Sequence, residues 1–387
     1  MNSSPSPSME WLLLLFLVSS VEGQKKVDEY RWTYDLDAFG GPDFWGLVNQ
    51  EWRMCKHGQA QSPINVDPSK LLFDPHLGRL SFDSVEVAAW MENTGQMPLI
   101  SLNTSALPAL SIANGPAMPY KYRLAQVLPL SLPLHPLPYQ IVVHFGKADG
   151  GEKGSEHTVD RLRFPAEIQL LAYNTDLYDN FTQAMTQPRG LLAIAVIVDI
   201  GRVTEPELRR ITVASQSITY KGSKTVLPRL RPSALLPRTH HYVTYEGSLT
   251  YPGCHETVTW IIMNNPIYIT REDLAIWNEL QQSETKLAMP QLMNPVYRPL
   301  KALNGRLLRT NINVSMRPRE EGVSCPAPVY SELGYRANPS RHNGSHHHVR
   351  RDVEGHNGSH HHVRRDVEGS NPLPSIHPGV WMEDSSM

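Results

Sequence analysis

A chain of 387 residues with 40% hydrophobic side chains is long and apolar enough to bury a full-sized core without a structural metal or dense cross-linking. Its 36 Lys+Arg stand against 38 Asp+Glu. That balance excludes nucleic-acid binding by bulk phosphate neutralisation, and no run of like charge marks a membrane-surface patch. Three cysteines exclude a zinc-finger array and a disulfide-dense mini-protein.

Taken in chain order, the first element is an export signal. Trp11 to Val18 (WLLLLFLV) is apolar but shorter than the roughly 20 residues needed to cross a bilayer, and Val21-Glu22-Gly23 follows as a small-residue cleavage pattern. Residues 1–23 are therefore read as a signal peptide, with the mature chain starting near Gln24. The expected location is secreted and extracellular, because no second long apolar run follows and the closing WMEDSSM is too polar for a lipid-anchor tail. Export makes the Asn-x-Ser/Thr sequons at Asn103, Asn180, Asn313, Asn343 and Asn357 candidate glycan sites. It also allows Cys55, Cys254 and Cys325 to form one disulfide and leave one thiol over, a pairing that spacing does not choose.

Residues 24–335 read as one β-rich domain. Short runs of Val, Ile, Leu, Tyr and Thr punctuated by Pro and Gly predict strands at Leu99–Leu102, Gln140–Phe145, Ala166–Asn174, Leu191–Ile200 and Thr257–Met263. A helix is predicted over Arg271–Leu280, with Thr270 as N-cap and Asp273 in the capping-box position. From residue 336 to 387 the composition changes, with six Arg, six Asp/Glu and nine of the 17 histidines among few apolar residues. Within it the 14 residues 342–355 (HNGSHHHVRRDVEG) recur letter for letter at 356–369. Such a stretch buries too little to offset its ordering entropy and is predicted to be a disordered tail. Its His346-His347-His348 and His360-His361-His362 triplets suit loose binding of Zn²⁺, Cu²⁺ or Ni²⁺, and a solvated spacer is the plainer reading.

Alternation along the strands places Val142 and His144 on one face, and Glu167, Gln169 and Leu171 on one face of the next strand. A lone strand histidine is more often a hydrogen-bonded core residue than a ligand. Five sequence blocks change the reading: Gln61-Ser62-Pro63-Ile64-Asn65-Val66, Gly154-Ser155-Glu156-His157-Thr158-Val159-Asp160, Phe164-Pro165-Ala166-Glu167, Gly247-Ser248-Leu249-Thr250 and Val258-Thr259-Trp260-Ile261. Together, and in this order, they resemble the α-class carbonic anhydrase family from about Trp32 to Met316, three quarters of the chain. The resemblance implies a mainly β, single-domain fold: a large central, mostly antiparallel twisted sheet of about ten strands with a few short peripheral helices.

Catalytic members of that family hold zinc on three histidines, which lowers the pKa of bound water to about 7. By resemblance the three ligand positions here are Val142, His144 and Gln169, so two of three imidazoles are missing. The proton-shuttle position holds Gln96, an amide that does not titrate near neutrality, and the residue after Thr250 is the bulky Tyr251. Thr250 and Glu156, which resemble the pair orienting zinc-bound hydroxide, are retained, as are Glu167 and Gln140. They are expected to persist as parts of a buried hydrogen-bond network. The runs Val142–Gly146, Gly247–Cys254 and Arg309–Asn313, with Cys325-Pro326, most resemble the secreted acatalytic carbonic anhydrase-related proteins, the group of the tenth and eleventh isoforms and their invertebrate relatives.

The resemblance implies a Cys55–Cys254 disulfide, which leaves Cys325 unpaired, either as an intermolecular bridge to a partner or as a capped or buried thiol. It further implies no zinc cofactor, no CO₂ hydration, and an extracellular binding role, with cell-surface receptors of the neurexin type as one candidate partner. The alternatives are a weakly active carbonate dehydratase with a rebuilt metal site, and a His-rich matrix or metal-binding protein.

Overall fold

Among the described residues fourteen strands hydrogen-bond into one sheet, ten of them along a continuous path. This computed structural model describes residues 32–103, 110–124, 141–147, 153–287, 289–313, 315–316, 328–329 and 333–335. The ten strands are, in chain order, β1 (Leu71–Phe73), β2 (Val87–Asn93), β3 (Pro98–Leu102), β4 (Ile141–Phe145) and β5 (Ala166–Asn174), followed by β6 (Leu191–Ile200), β7 (Lys224–Leu230), β8 (Tyr242–Gly247), β9 (Val258–Met263) and β10 (Leu308–Thr310). Their order across the sheet is β7-β2-β3-β4-β5-β6-β9-β8-β10-β1. Only the β6–β9 and β10–β1 contacts on this path are parallel. The mainly β fold expected from the family resemblance is the one found.

Burial follows position. The central strands β4 and β5 are buried at every residue, as expected for strands covered on both faces, where hydrophobic runs replace alternation. Strand β2, near one edge, alternates: Val87, Ala89 and Met91 point into the core, while Ala88 and Trp90 are exposed. Glu167 and Gln169 are thus polar residues in a layer that offers them no water, and each requires a protein partner.

The two longest helices among the described residues are α1 (Pro206–Ser215) and α2 (Arg271–Asn278). They are joined where Trp277 Nε1 donates to Ser215 Oγ at 3.1 Å. Thr270 caps α2 as expected, accepting from the Asp273 amide. The return half of the capping box is replaced. Thr204 Oγ1 accepts from the Thr270 amide at 2.9 Å and donates to the Asp273 carboxylate, so a distant hydroxyl stands between the two groups.

At the N-terminal side Trp32, Tyr34 and Trp45 pack edge to face, with centroids 5.3–5.6 Å apart. Cys55 is bonded to Cys254 with an S–S distance of 2.04 Å, the pair the family resemblance implied. The chain divides into Met1–Arg336 and Ala337–Met387. The signal segment, Gln140, Cys325, Asn343, Asn357 and the whole repeat tail lie outside the described residues. No helix among the described residues is long and apolar enough to cross a membrane.

Candidate functional site

The register of β4 against β5 sets His144 opposite Glu167 and Val142 opposite Gln169. All four side chains are buried. His144 Nδ1 lies 3.0 Å from the Val296 carbonyl and 3.5 Å from Glu156 Oε1. A carbonyl only accepts, so Nδ1 carries a proton. The other nitrogen, Nε2, has no hydrogen-bond partner among the described residues. The Tyr34 ring stands edge-on to the imidazole, with centroids 5.9 Å apart.

Gln169 organises the centre of the site. Its Nε2 donates to Glu156 Oε2 at 2.7 Å and to Glu167 Oε1 at 2.9 Å, so one neutral amide bridges two buried carboxylates. Each carboxylate has further donors. Glu156 Oε1 accepts from the Arg298 backbone N–H at 3.0 Å. Glu167 Oε2 accepts from the His157 N–H at 2.8 Å, and its Oε1 lies 2.9 Å from His157 Nδ1. His157 Nε2 then meets Tyr245 OH at 2.7 Å, and that hydroxyl meets Ser62 Oγ at 2.8 Å. The buried Arg298 guanidinium donates to the Ser62 carbonyl at 2.8 Å and the Cys55 carbonyl at 3.1 Å. Burial pulls its pKa down to about 10, which still leaves it charged at neutral pH.

Burial alone would raise the Glu167 carboxyl, but the His157 imidazole, its hydrogen bond, His144 and the Gln169 amide outweigh it and hold the group at about 2, below the ordinary 4.5. A carboxyl depressed on folding stabilises the folded state above its unfolded pKa, and that stabilisation is lost as pH falls through the folded one. The window therefore runs from about pH 4.5 down to about 2, with a contribution on the order of 3 kcal/mol. Urea unfolding should show the wild type losing stability more steeply across this window than Glu167→Gln. Equal slopes would mean that Glu167 is not the group responsible.

Several expected site residues are placed differently from the sequence reading. Glu156 and Glu167 belong to the buried network, as expected, but Thr250 does not. Its Oγ1 has no partner among the described residues, and the donors to the Glu156 carboxylate are the Gln169 amide and the Arg298 backbone N–H. Tyr251 is buried and Gln96 is half-buried. Of the sequon asparagines, Asn103, Asn180 and Asn313 are exposed, and Asn180 Oδ1 accepts from the Gln183 amide at the start of a short helix. Sequence reasoning missed the roles of His157, Tyr245 and Arg298. His157 sits within a recognised block, yet nothing local in Ser155-Glu156-His157 marks it as a buried link between a carboxylate and a phenol.

The fold and this constellation define a carbonic anhydrase-type protein. A model of the eukaryotic-type carbonic anhydrase family matches residues 40–312, and the chain belongs to that family. It is 60% identical over 314 residues to carbonic anhydrase-like protein 2 of Caenorhabditis elegans, covering 81% of this chain and 89% of that relative. It is 36% identical to carbonic anhydrase-like protein 1 of the same organism over 365 residues, covering 78% and 95% respectively.

The family implies zinc, and the residues here do not fit it. Val142 has no donor atom, and the Gln169 amide nitrogen, itself a donor, is directed at two carboxylates. Of the three ligand positions only His144 offers an unpartnered imidazole nitrogen, Nε2, whereas a zinc centre takes three or four protein ligands. Among the described residues no three His, Cys, Asp or Glu side chains are grouped to hold a metal ion.

Proposed function

We propose that this chain is a secreted carbonic anhydrase-related protein that does not hydrate CO₂ and acts as an extracellular binding module. One observation carries the reading. Where three imidazoles would face a metal, the Gln169 amide is hydrogen-bonded to Glu156 and Glu167, so the carboxylates are satisfied by the protein itself. Without bound zinc the pKa of water stays near ~15.7, and no hydroxide nucleophile forms at neutral pH. The five-block likeness to a known family supports the domain, while fold alone implies no activity. The apolar leader supports export and the covalently closed Cys55–Cys254 pair agrees with it. A cell-surface protein of the neurexin type is the partner class to test first.

The test is zinc content and CO₂ hydration of a chain ending at Arg336, which removes the tail histidines, beside its Val142→His/Gln169→His variant. The expected result is below about 0.1 zinc per wild-type chain and no hydration above buffer, with metal gained by the variant. Stoichiometric zinc in the wild type would overturn the reading. Surface plasmon resonance against a neurexin-type ectodomain tests the partner, and no binding there removes that receptor class.

A further inference from the structure

At the end of the sheet remote from Gln169 in sequence, a cleft of about 460 Å³ is lined by Arg79, Arg238, His240, His241 and Asn311 over the side chain of Leu77. No acidic residue among the described residues lines it. Nearby arginines are matched, Arg231 to Glu86 at 2.6 Å and Arg309 to Asp74 at 3.2 Å. Arg79 and Arg238 are exposed, and neither has a carboxylate partner among the described residues. In a chain of near-neutral charge this is a local excess of cation held in a concave surface, the arrangement that focuses an anion.

The walls are fixed before any ligand arrives. Asn311 Nδ2 donates to the His240 carbonyl at 2.8 Å, and Asn311 Oδ1 accepts from the Tyr242 amide at 3.0 Å. The Tyr242 hydroxyl donates to the Gly78 carbonyl at 2.7 Å. One asparagine and one tyrosine thus tie the Leu77–Arg79 segment, the Arg238–His241 segment and the residue after β10 into one frame. Preorganisation of this kind lowers the ordering cost of binding.

We infer that this cleft is a binding site for a sugar-sized organic molecule bearing a sulfate or phosphate ester, with Arg79 and Arg238 gripping the oxyanion. A planar guanidinium fork matches such an oxyanion through paired N–H donors. The volume argues for an organic carrier, since clefts of this size accommodate small-molecule ligands and a bare ion would leave most of the space to water.

Isothermal titration of the full chain at neutral pH, with chelator present, separates the sources: inorganic sulfate, inorganic phosphate, a sugar phosphate and a sulfated disaccharide. One of the two organic esters should bind, more tightly than either free ion. Arg79→Gln/Arg238→Gln should weaken that binding at least about tenfold with unchanged thermal melting, as exposed substitutions allow. The charge-matched Arg53→Gln/Arg202→Gln variant, at two exposed arginines outside the cleft, should bind as the wild type does. Undiminished binding in the cleft variant, equal loss in both variants, free ions binding as well as the esters, or no binding of any probe would each overturn the assignment.

Discussion

Replacing Gln169 by leucine is expected to cost the fold about 3 kcal/mol or more, although the two side chains are similar in size. The amide makes two hydrogen bonds to buried carboxylates. Bonds to charged groups contribute about 1.5–3 kcal/mol each, and a buried charge left without its donor adds a desolvation penalty. Glu156 Oε2 loses the donor shown for it, while Glu167 Oε1 keeps His157. Urea unfolding of wild type and Gln169→Leu measures the difference, and a loss under about 1 kcal/mol would mean that the carboxylates repack or protonate at little cost. Gln169→Glu should be worse still, because a third carboxylate at the bridge would force one of the three to hold a proton.

The second large effect is at the disulfide. Cys55 and Cys254 close a loop with a sequence separation of 199, for which the chain-entropy account gives about 5 kcal/mol, against the 2–5 kcal/mol typically lost on removing a native bridge. A Cys55→Ser/Cys254→Ser chain should therefore unfold at markedly lower urea, with wild type in reductant behaving alike. The bridge also fixes the turn carrying Thr250 and Tyr251. Cys254 donates its amide to the Tyr251 carbonyl at 3.1 Å, and its own carbonyl accepts from Gln61 Nε2 at 3.0 Å. If the double serine chain lost less than about 1 kcal/mol, those hydrogen bonds rather than the covalent link would be holding the turn.

The strands were legible because their signals are local. β5 and β6 have the predicted boundaries, β3 and β9 differ from expectation by one residue at the start, and β4 agrees over Ile141–Phe145, its predicted first residue Gln140 lying outside the described residues. Each is a continuous apolar or alternating run with a clear break before it. The helix α1 was not anticipated despite Pro206 at its first turn, because Ile211-Thr212-Val213 is β-branched and reads as strand. Tertiary packing overrides that preference: Leu208, Ile211, Thr212 and Ser215 share the buried face.

Of the site, the residue types were legible and their partners were not. That Val142 and Gln169 differ from imidazole is plain in the letters. That Gln169 would reach both Glu156 and Glu167 depends on where the segment carrying Glu156 runs beside β5. Arg298 and Glu156 meet across 142 positions, and no local pattern encodes such a contact.

The placement of β10 has a consequence for how the molecule is made. Leu308–Thr310 comes after every other strand of the ten along the chain, yet it lies inside the sheet, between β8 and β1. Leu308 pairs with Leu71, so this contact closes a loop spanning most of the domain, and such non-local pairings form slowly. A nascent or truncated chain that stops short of Leu308 leaves the Tyr242–Gly247 edge open and Leu71–Phe73 without its strand partner, with Leu72 and Phe73 already 50% and 44% exposed in the finished fold. Unpaired apolar edges recruit strands from other molecules. A chain lacking only this last strand is thus more open to association than the finished fold, and pairing of Leu308–Thr310 with both neighbours closes it.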